Sequence, residues 1–512
     1  ERRGEERRGE ERRGEERRGE KAMLPAMLSI PAGPPFGMRS TSAWERPPRP
    51  PPLVQPPPYT LRNFTQRVDH FNFFHDRTFA QRYLLSTAYF TPGSPAPLLV
   101  FTGAEGGDVE ALYASGDYGT PLAFAQSSGA LLVFLECRFF GGSLPFGAAS
   151  FAASAARLGL LSVEQVLADY AAILTALREE FGWTRPLVAF GGSLAGTLAA
   201  LLRLASPSLV DAAWASSAPL LGYVGTGVSQ FAWRAQITAN YQTLGGGGCV
   251  PRVRAAFSAL HGAGGAEVRD ALRTCEGSYD RSWADVQGLV WSLVESAGEF
   301  CYPPSSAAIA GYCQALGAGG GEGGGWRARG LRGVLSLLRL GAPSFFSPRG
   351  NGSCLNLTAV RAKAAEGSVG WNYLACTEIV HPIGANNVTD FFPPANWSVA
   401  QTAAWCASQF GVAQPRASWI PSEFGLYHLQ RFSRSHSRVL FVYGLRDPWH
   451  TQGIGLHNLS STLPVVTIDD GSHCADMQSP SPLDTPSMIL GRSRAEAILR
   501  NWLQDLQRTS TL

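Results

Sequence analysis

The chain has 512 residues, 45% of them apolar, with 43 Lys and Arg against 40 Asp and Glu and a net charge of +3. That length exceeds what one hydrophobic core usually serves, so one large domain with a second attached or inserted is expected. So small a net charge gives no argument for a protein that tracks a nucleic-acid backbone, which needs a concentrated basic face. Apolar runs such as Ala130 to Leu135 fall far short of the roughly 20 residues of a membrane span, so no membrane span is expected.

Residues 1–20 are four copies of Glu-Arg-Arg-Gly-Glu, self-neutralising and without an apolar face, and read as a poorly defined chain start. The stretch Ala22 to Pro31 is short and broken by prolines, so no signal peptide is evident. Pro47 to Pro58 reads as an extended linker, which puts residues 1–58 in a leader and the start of the folded body near Tyr59.

From residue 59 to 222, short apolar runs (Leu98 to Phe101, Ala130 to Leu135, Leu187 to Phe190) alternate with helical patterns such as Ser162 to Phe181. That alternation predicts βαβ units and a parallel sheet. Residues 223–415 hold seven of the nine cysteines and two glycine tracts, Gly245 to Gly248 and Gly317 to Gly325, with few strand-like runs. They read as an inserted, mostly helical domain stapled by disulfides. The glycine tracts lack the strand-turn-helix context of a phosphate loop and read as flexible loops. No CxxC spacing occurs, which points away from a metal site. Strand-like runs return at Val439 to Tyr443 and Val465 to Ile468, and Ser493 to Gln507 forms a closing amphipathic helix, so residues 416–512 complete the sheet.

Six N-x-Ser/Thr sequons, at Asn63, Asn351, Asn356, Asn387, Asn396 and Asn458, join the cysteine count in pointing to the secretory route. No cofactor is called for. A homodimer is left open.

The chemistry is carried by Leu187-Val-Ala-Phe190 running into Gly191-Gly192-Ser193-Leu194-Ala195-Gly196 and then a helical stretch. A nucleophile elbow needs this context, because the serine sits in a strained turn and its flanking residues must be small for strand and helix to approach. Ala195 stands where G-x-S-x-G has its second glycine, and alanine is still small. The rival Gly141-Gly142-Ser143 is followed closely by Pro145 and reads as a loop. In this fold the acid and base follow in the order Ser, Asp, His after late strands. Asp447 follows Val439 to Tyr443, and His473 follows Val465 to Ile468. Asp469, Asp470 and Asp476 lie on the histidine's own loop, too near in sequence to rise from a neighbouring strand. The expected oxyanion hole uses the N–H groups of Leu194 and Ala104. Trp449, two residues after the acid, and Thr197, four after the nucleophile, are expected to line the S1 pocket.

At this point the sequence resembles the prolyl carboxypeptidase and dipeptidyl-peptidase II family of serine exopeptidases. The resemblance runs through Val68 to Asn72, Thr78 to Tyr83, Leu131 to Gly147, Val163 to Asp169, Trp214 to Pro219, Trp371 to Glu378, Asp447-Pro-Trp449 and Gly471-Ser-His473. It implies an α/β-hydrolase core with an inserted helical cap, and hydrolysis of short peptides next to proline in lysosomes or outside the cell. It also implies pairing of Cys249 with Cys313, Cys275 with Cys354 and Cys376 with Cys406, leaving Cys137, Cys301 and Cys474 as thiols. Leu194, Cys137, Gly107, Thr197 and His381 depart from the family pattern. Thr197 and His381 stand where relatives carry methionines lining the proline pocket, so a pocket that also takes alanine is expected. Three activities are compatible with the sequence: a Pro-X carboxypeptidase, a dipeptidyl-peptidase II-type aminopeptidase, and a non-catalytic binding protein on the same fold.

Overall fold

The computed structural model describes residues 54–509 apart from 106, 152–154, 261–262, 276–282, 303–305, 318–325, 342–345, 350–351, 357 and 359–367. The repeat and most of the proline-rich leader, Asn351 and nearly all of the second glycine tract lie outside the described residues.

Eight strands form one sheet: β1 (Thr60–Arg67), β2 (Thr78–Ser86), β3 (Leu98–Phe101), β4 (Leu131–Leu135), β5 (Leu187–Gly192), β6 (Ala212–Ser216), β9 (Val439–Gly444) and β10 (Val465–Ile468). Their spatial order is β1-β2-β4-β3-β5-β6-β9-β10. The β1–β2 and β2–β4 pairs are antiparallel and the rest are parallel. Strands β3 to β6 and β9 are buried at every position, as expected when helices cover both faces. The two-residue period still sorts their side chains. Leu98 and Val100 join the hydrophobic cluster on one face, and Leu99 and Phe101 join the cluster on the other.

The helices of this core are α1 (Val109–Ala114), α2 (Gly119–Ser128), α3 (Val163–Glu180) and α4 (Leu194–Ala205), with the C-terminal Pro486–Thr509 helix closing the sheet from the other end of the chain. Helix α3 starts where Ser162 caps it by accepting a hydrogen bond from Gln165 N.

Between β6 and β9 the chain leaves the sheet and forms α5 (Ala232–Gly245), α6 (Cys249–Leu260), α7 (Gly265–Leu272), α8 (Trp283–Glu299), α9 (Ser306–Gly317), α10 (Trp326–Gly341), a hairpin of β7 (Phe346–Arg349) and β8 (Gly352–Leu355), α11 (Ser368–Thr377) and α12 (Val399–Phe410). These elements have their own core, with Trp233, Ile237, Tyr241, Phe257 and Trp291 among its members, and Trp449 from the sheet side packs against it. Disulfides join Cys249 to Cys313, Cys275 to Cys354 and Cys376 to Cys406, with Cα separations of 5.2, 4.9 and 5.5 Å. Cys137 and Cys301 are buried thiols, and Cys474 is a partly exposed one.

Candidate active site

Strand β5 delivers Ser193 at the tip of a turn with φ 60° and ψ −125°, and α4 begins at the next residue. A non-glycine residue at positive φ is strained and persists only where its surroundings hold it. Here they do. Ser193 N donates to Ser216 O at 3.0 Å and Thr197 N to Ser193 O at 2.9 Å. The neighbouring glycines are required by contact: a Cβ on Gly191 would lie 2.6 Å from the Ala195 Cβ, and one on Gly196 would lie 2.5 Å from Ser216 O. The alanine in place of the second glycine thus closes against Gly191.

Asp447 and His473 come from the loops after β9 and β10. His473 Nδ1 is 2.9 Å from Asp447 Oδ1, and the same oxygen accepts Trp449 N at 3.0 Å. Asp447 is fully buried and His473 is 4% exposed. Burial opposes charge on the His473 ring, yet the Cys474 sulfur and the Asp447 carboxylate beside it hold its pKa well above the ordinary value. The histidine loop meets the elbow, since a Cβ on Gly192 would lie 2.6 Å from Cys474 Sγ. Two of the competing carboxylates are engaged elsewhere, and the third, that of Asp469, is exposed. Asp470 accepts Thr485 Oγ1 at 2.9 Å, Asp476 accepts Trp214 Nε1 at 3.1 Å and Ser216 Oγ, and Asp469 takes part through its backbone N–H, which donates to Ser487 Oγ.

Leu194 is the first residue of α4, so its N–H has no acceptor within the helix. The loop carrying Ala104 is tied to the elbow by Thr102 Oγ1, which donates to Ala195 O at 2.6 Å. Gly103 in that loop has φ +68°, and a Cβ there would meet the Tyr170 hydroxyl at 2.5 Å.

The expected pocket residues fare differently. Trp449 is half-buried, with its ring 6.2 Å from that of His473 and 5.3 Å from that of His381. Thr197 is buried, and its hydroxyl turns back to donate to Ser193 O at 3.2 Å, so that hydroxyl is already paired. His381 does not face solvent. It is buried, its Nδ1 contacts Gly222 O, and burial pushes its pKa down to about 4, so the ring is neutral above that.

Two carboxyls at the site escaped the sequence reading. Glu299, the last residue of cap helix α8, accepts Trp449 Nε1 at 2.8 Å and brings Oε1 to 3.7 Å from His473 Nε2. Burial pushes it up to about 7. Burial also raises Glu105, beside Ala104, and the charge of His473 acts on it. Among the described residues, each has one buried oxygen without a partner.

The strand order, the strained elbow and the inserted helical cap define an α/β-hydrolase. The chain belongs to the family of serine carboxypeptidases S28, whose model matches residues 66–495. It is 31% identical over 467 residues to the lysosomal Pro-X carboxypeptidase of Pongo abelii, covering 87% of this chain and 89% of that protein. To the thymus-specific serine protease of Mus musculus it is 31% identical over 475 residues, covering 87% and 88%. Among solved structures, a prohormone-processing carboxypeptidase from Saccharomyces cerevisiae aligns over 90% of this chain and 95% of its own at 11% identity and a TM-score of 0.38, which adds nothing to the topology. The chain is therefore a serine-type peptidase, a hydrolase.

Proposed function

We propose that this chain is an exopeptidase of Pro-X carboxypeptidase type, hydrolysing short peptides next to proline or a small residue through an acyl-enzyme formed on Ser193. The observation that carries the reading is the 2.9 Å contact of His473 Nδ1 with buried Asp447, on a loop packed against the elbow of Ser193. Asp447 holds the proton on Nδ1, which leaves Nε2 as the base. As Ser193 Oγ bonds to the acyl carbon, its proton passes to Nε2, and the carbonyl oxygen gains charge facing the N–H groups of Leu194 and Ala104. His473 then gives the proton to the departing amine as the C–N bond breaks. A water repeats the sequence to free the acid and restore Ser193.

Trp449 forms one wall of the acyl pocket in this reading. A proline ring offers only apolar surface, worth about 25 cal/mol per Å² buried, so its selection rests on shape and one flat aromatic wall. The neutral His381 ring backs that wall and adds no charge across the acid range above about pH 4.

A second reading, dipeptidyl-peptidase II-type release from the N-terminus, is favoured by Glu299 and Glu105. A terminal ammonium needs carboxylates, and these two have unpaired oxygens beside His473. The names of the relatives favour the carboxypeptidase. Mass analysis of products from a proline-containing peptide separates the two by which end loses mass. A lysosomal or secreted setting is supported by those relatives, by the three disulfides, and by the exposure of Asn63, Asn396 and Asn458 as candidate glycan acceptors. Asn356 is half-buried, and Asn387 Oδ1 is engaged by Arg254 at 2.9 Å.

A further inference from the structure

We propose that Glu299 is a positioning residue through which the cap governs the proton-accepting state of His473, an inference that rests on the serine-hydrolase reading above. Glu299 makes three contacts with the site. Its backbone oxygen accepts His473 N at 3.1 Å, its Oε1 accepts Trp449 Nε1 at 2.8 Å, and that same Oε1 lies 3.7 Å from His473 Nε2. The base loop and the pocket wall are therefore both anchored to one residue of the insertion, 150 positions before Trp449 in the chain.

Glu295, one helical turn earlier on α8, shows how a buried carboxylate is normally accommodated. Arg234 on α5 donates to it at 2.8 Å, and that guanidinium also lies over the rings of Trp291 and Phe392. Glu299 has no such cation among the described residues. Among the described residues, its ion-pair partner is His473, and its Oε2 is buried without a partner. Leaving a carboxyl oxygen in that state is costly. The groups that act on it are His473, Asp447 and Trp449 from the sheet side and Glu295 from its own helix, and the same imidazole is acted on by Glu105 from the loop after β3 and by Cys474, its neighbour in the chain.

This geometry couples two protonation states. An ionised Glu299 at 3.7 Å favours a proton on Nε2, the nitrogen that must be bare to accept the Ser193 proton. A protonated Glu299 removes that pull. Histidine and carboxyl therefore titrate as a pair, and the apparent pKa values belong to both. Once Ser193 has given up its proton, the same carboxylate stabilises the imidazolium, alongside Asp447 at Nδ1.

The test is the pH dependence of kcat and KM on an N-blocked proline substrate, for wild type and Glu299→Gln. The blocked terminus removes any contribution from binding a free amine. A fluorophosphonate probe counts intact sites, and a thermal melt confirms folding. The wild-type acid limb should fall over two ionisations. Glu299→Gln should reduce it to one and move it down by about one pH unit, with KM within about twofold because the amide can still accept from Trp449. An unshifted acid limb in a folded, labelled Glu299→Gln overturns the proposal, as does a change confined to KM for substrates with a free amine. A single-ionisation limb in the wild type overturns it even if the variant does not fold. Failure of the wild type to label is a separate result: it removes the serine-hydrolase reading itself.

Discussion

Gly444 and Gly471 touch backbone to backbone: a Cβ on Gly444 would lie 2.2 Å from the Gly471 carbonyl oxygen, which also accepts Arg446 N at 2.9 Å. The loops that carry Asp447 and His473 are held together at this point. Gly444→Ala has no flexible side chain to push aside, so it should separate Asp447 from His473. The expected loss is about 3 kcal/mol of stability together with most of the activity. A urea midpoint and turnover like those of wild type would refute the coupling.

Asp447→Asn should lower kcat by about 10⁴-fold with little change in fold, because an amide permits the wrong histidine tautomer. Asp470→Asn should change only its contact with Thr485. Steady-state kinetics on both variants checks the assignment, and the opposite ranking would reassign the acid.

Trp449→Phe keeps an aromatic wall but removes the Nε1 donor to Glu299. Proline substrates should lose about 1–3 kcal/mol of transition-state binding, and alanine substrates less. Paired kcat/KM values decide it, and equal losses for both would remove Trp449 from the proline-selecting wall.

The elbow and the central strands were legible because their requirements are local. Only small residues fit around Ser193, and runs such as Leu131 to Leu135 are apolar throughout because both faces of the sheet are covered. Strand β6, Ala-Ala-Trp-Ala-Ser, lacks β-branched residues, and the edge strand β1 is mostly polar, so neither carries the usual strand composition. Thr197 was expected to line the pocket from its spacing and from its place in the family pattern; that its hydroxyl turns back to the carbonyl four residues earlier, as a helical threonine can do, is a local choice the sequence does not show. Glu299 left no sequence signal. A glutamate ending a helix ordinarily reads as solvated, and its partners Trp449 and His473 arrive only through the tertiary fold.

Buried groups with shifted pKa values give stability a net dependence on pH. Glu299 and Glu378 are pushed up to about 7 and Asp476 to about 6, each chiefly by burial. Between the ordinary carboxyl range and those values the folded state binds more protons than the unfolded state, so their contribution is full below about pH 4 and is lost as pH rises toward 7. His381, pushed down to about 4, acts in reverse and adds stability as pH rises from 4 to 6.5. The three carboxyls outweigh the His381 imidazole, and His473, held above its ordinary value, acts in their direction, so the melting temperature should be higher at pH 5.5 than at pH 7.5. A higher value at pH 7.5 would contradict this balance.

The most direct measurement is labelling of the folded protein with a fluorophosphonate, followed by mass spectrometric location of the adduct, run beside hydrolysis of a proline-containing peptide. The account expects one adduct, on Ser193, with peptide hydrolysis lost in proportion to labelling and both abolished in Ser193→Ala. Hydrolysis that persists in Ser193→Ala, or an adduct on another serine, would contradict it.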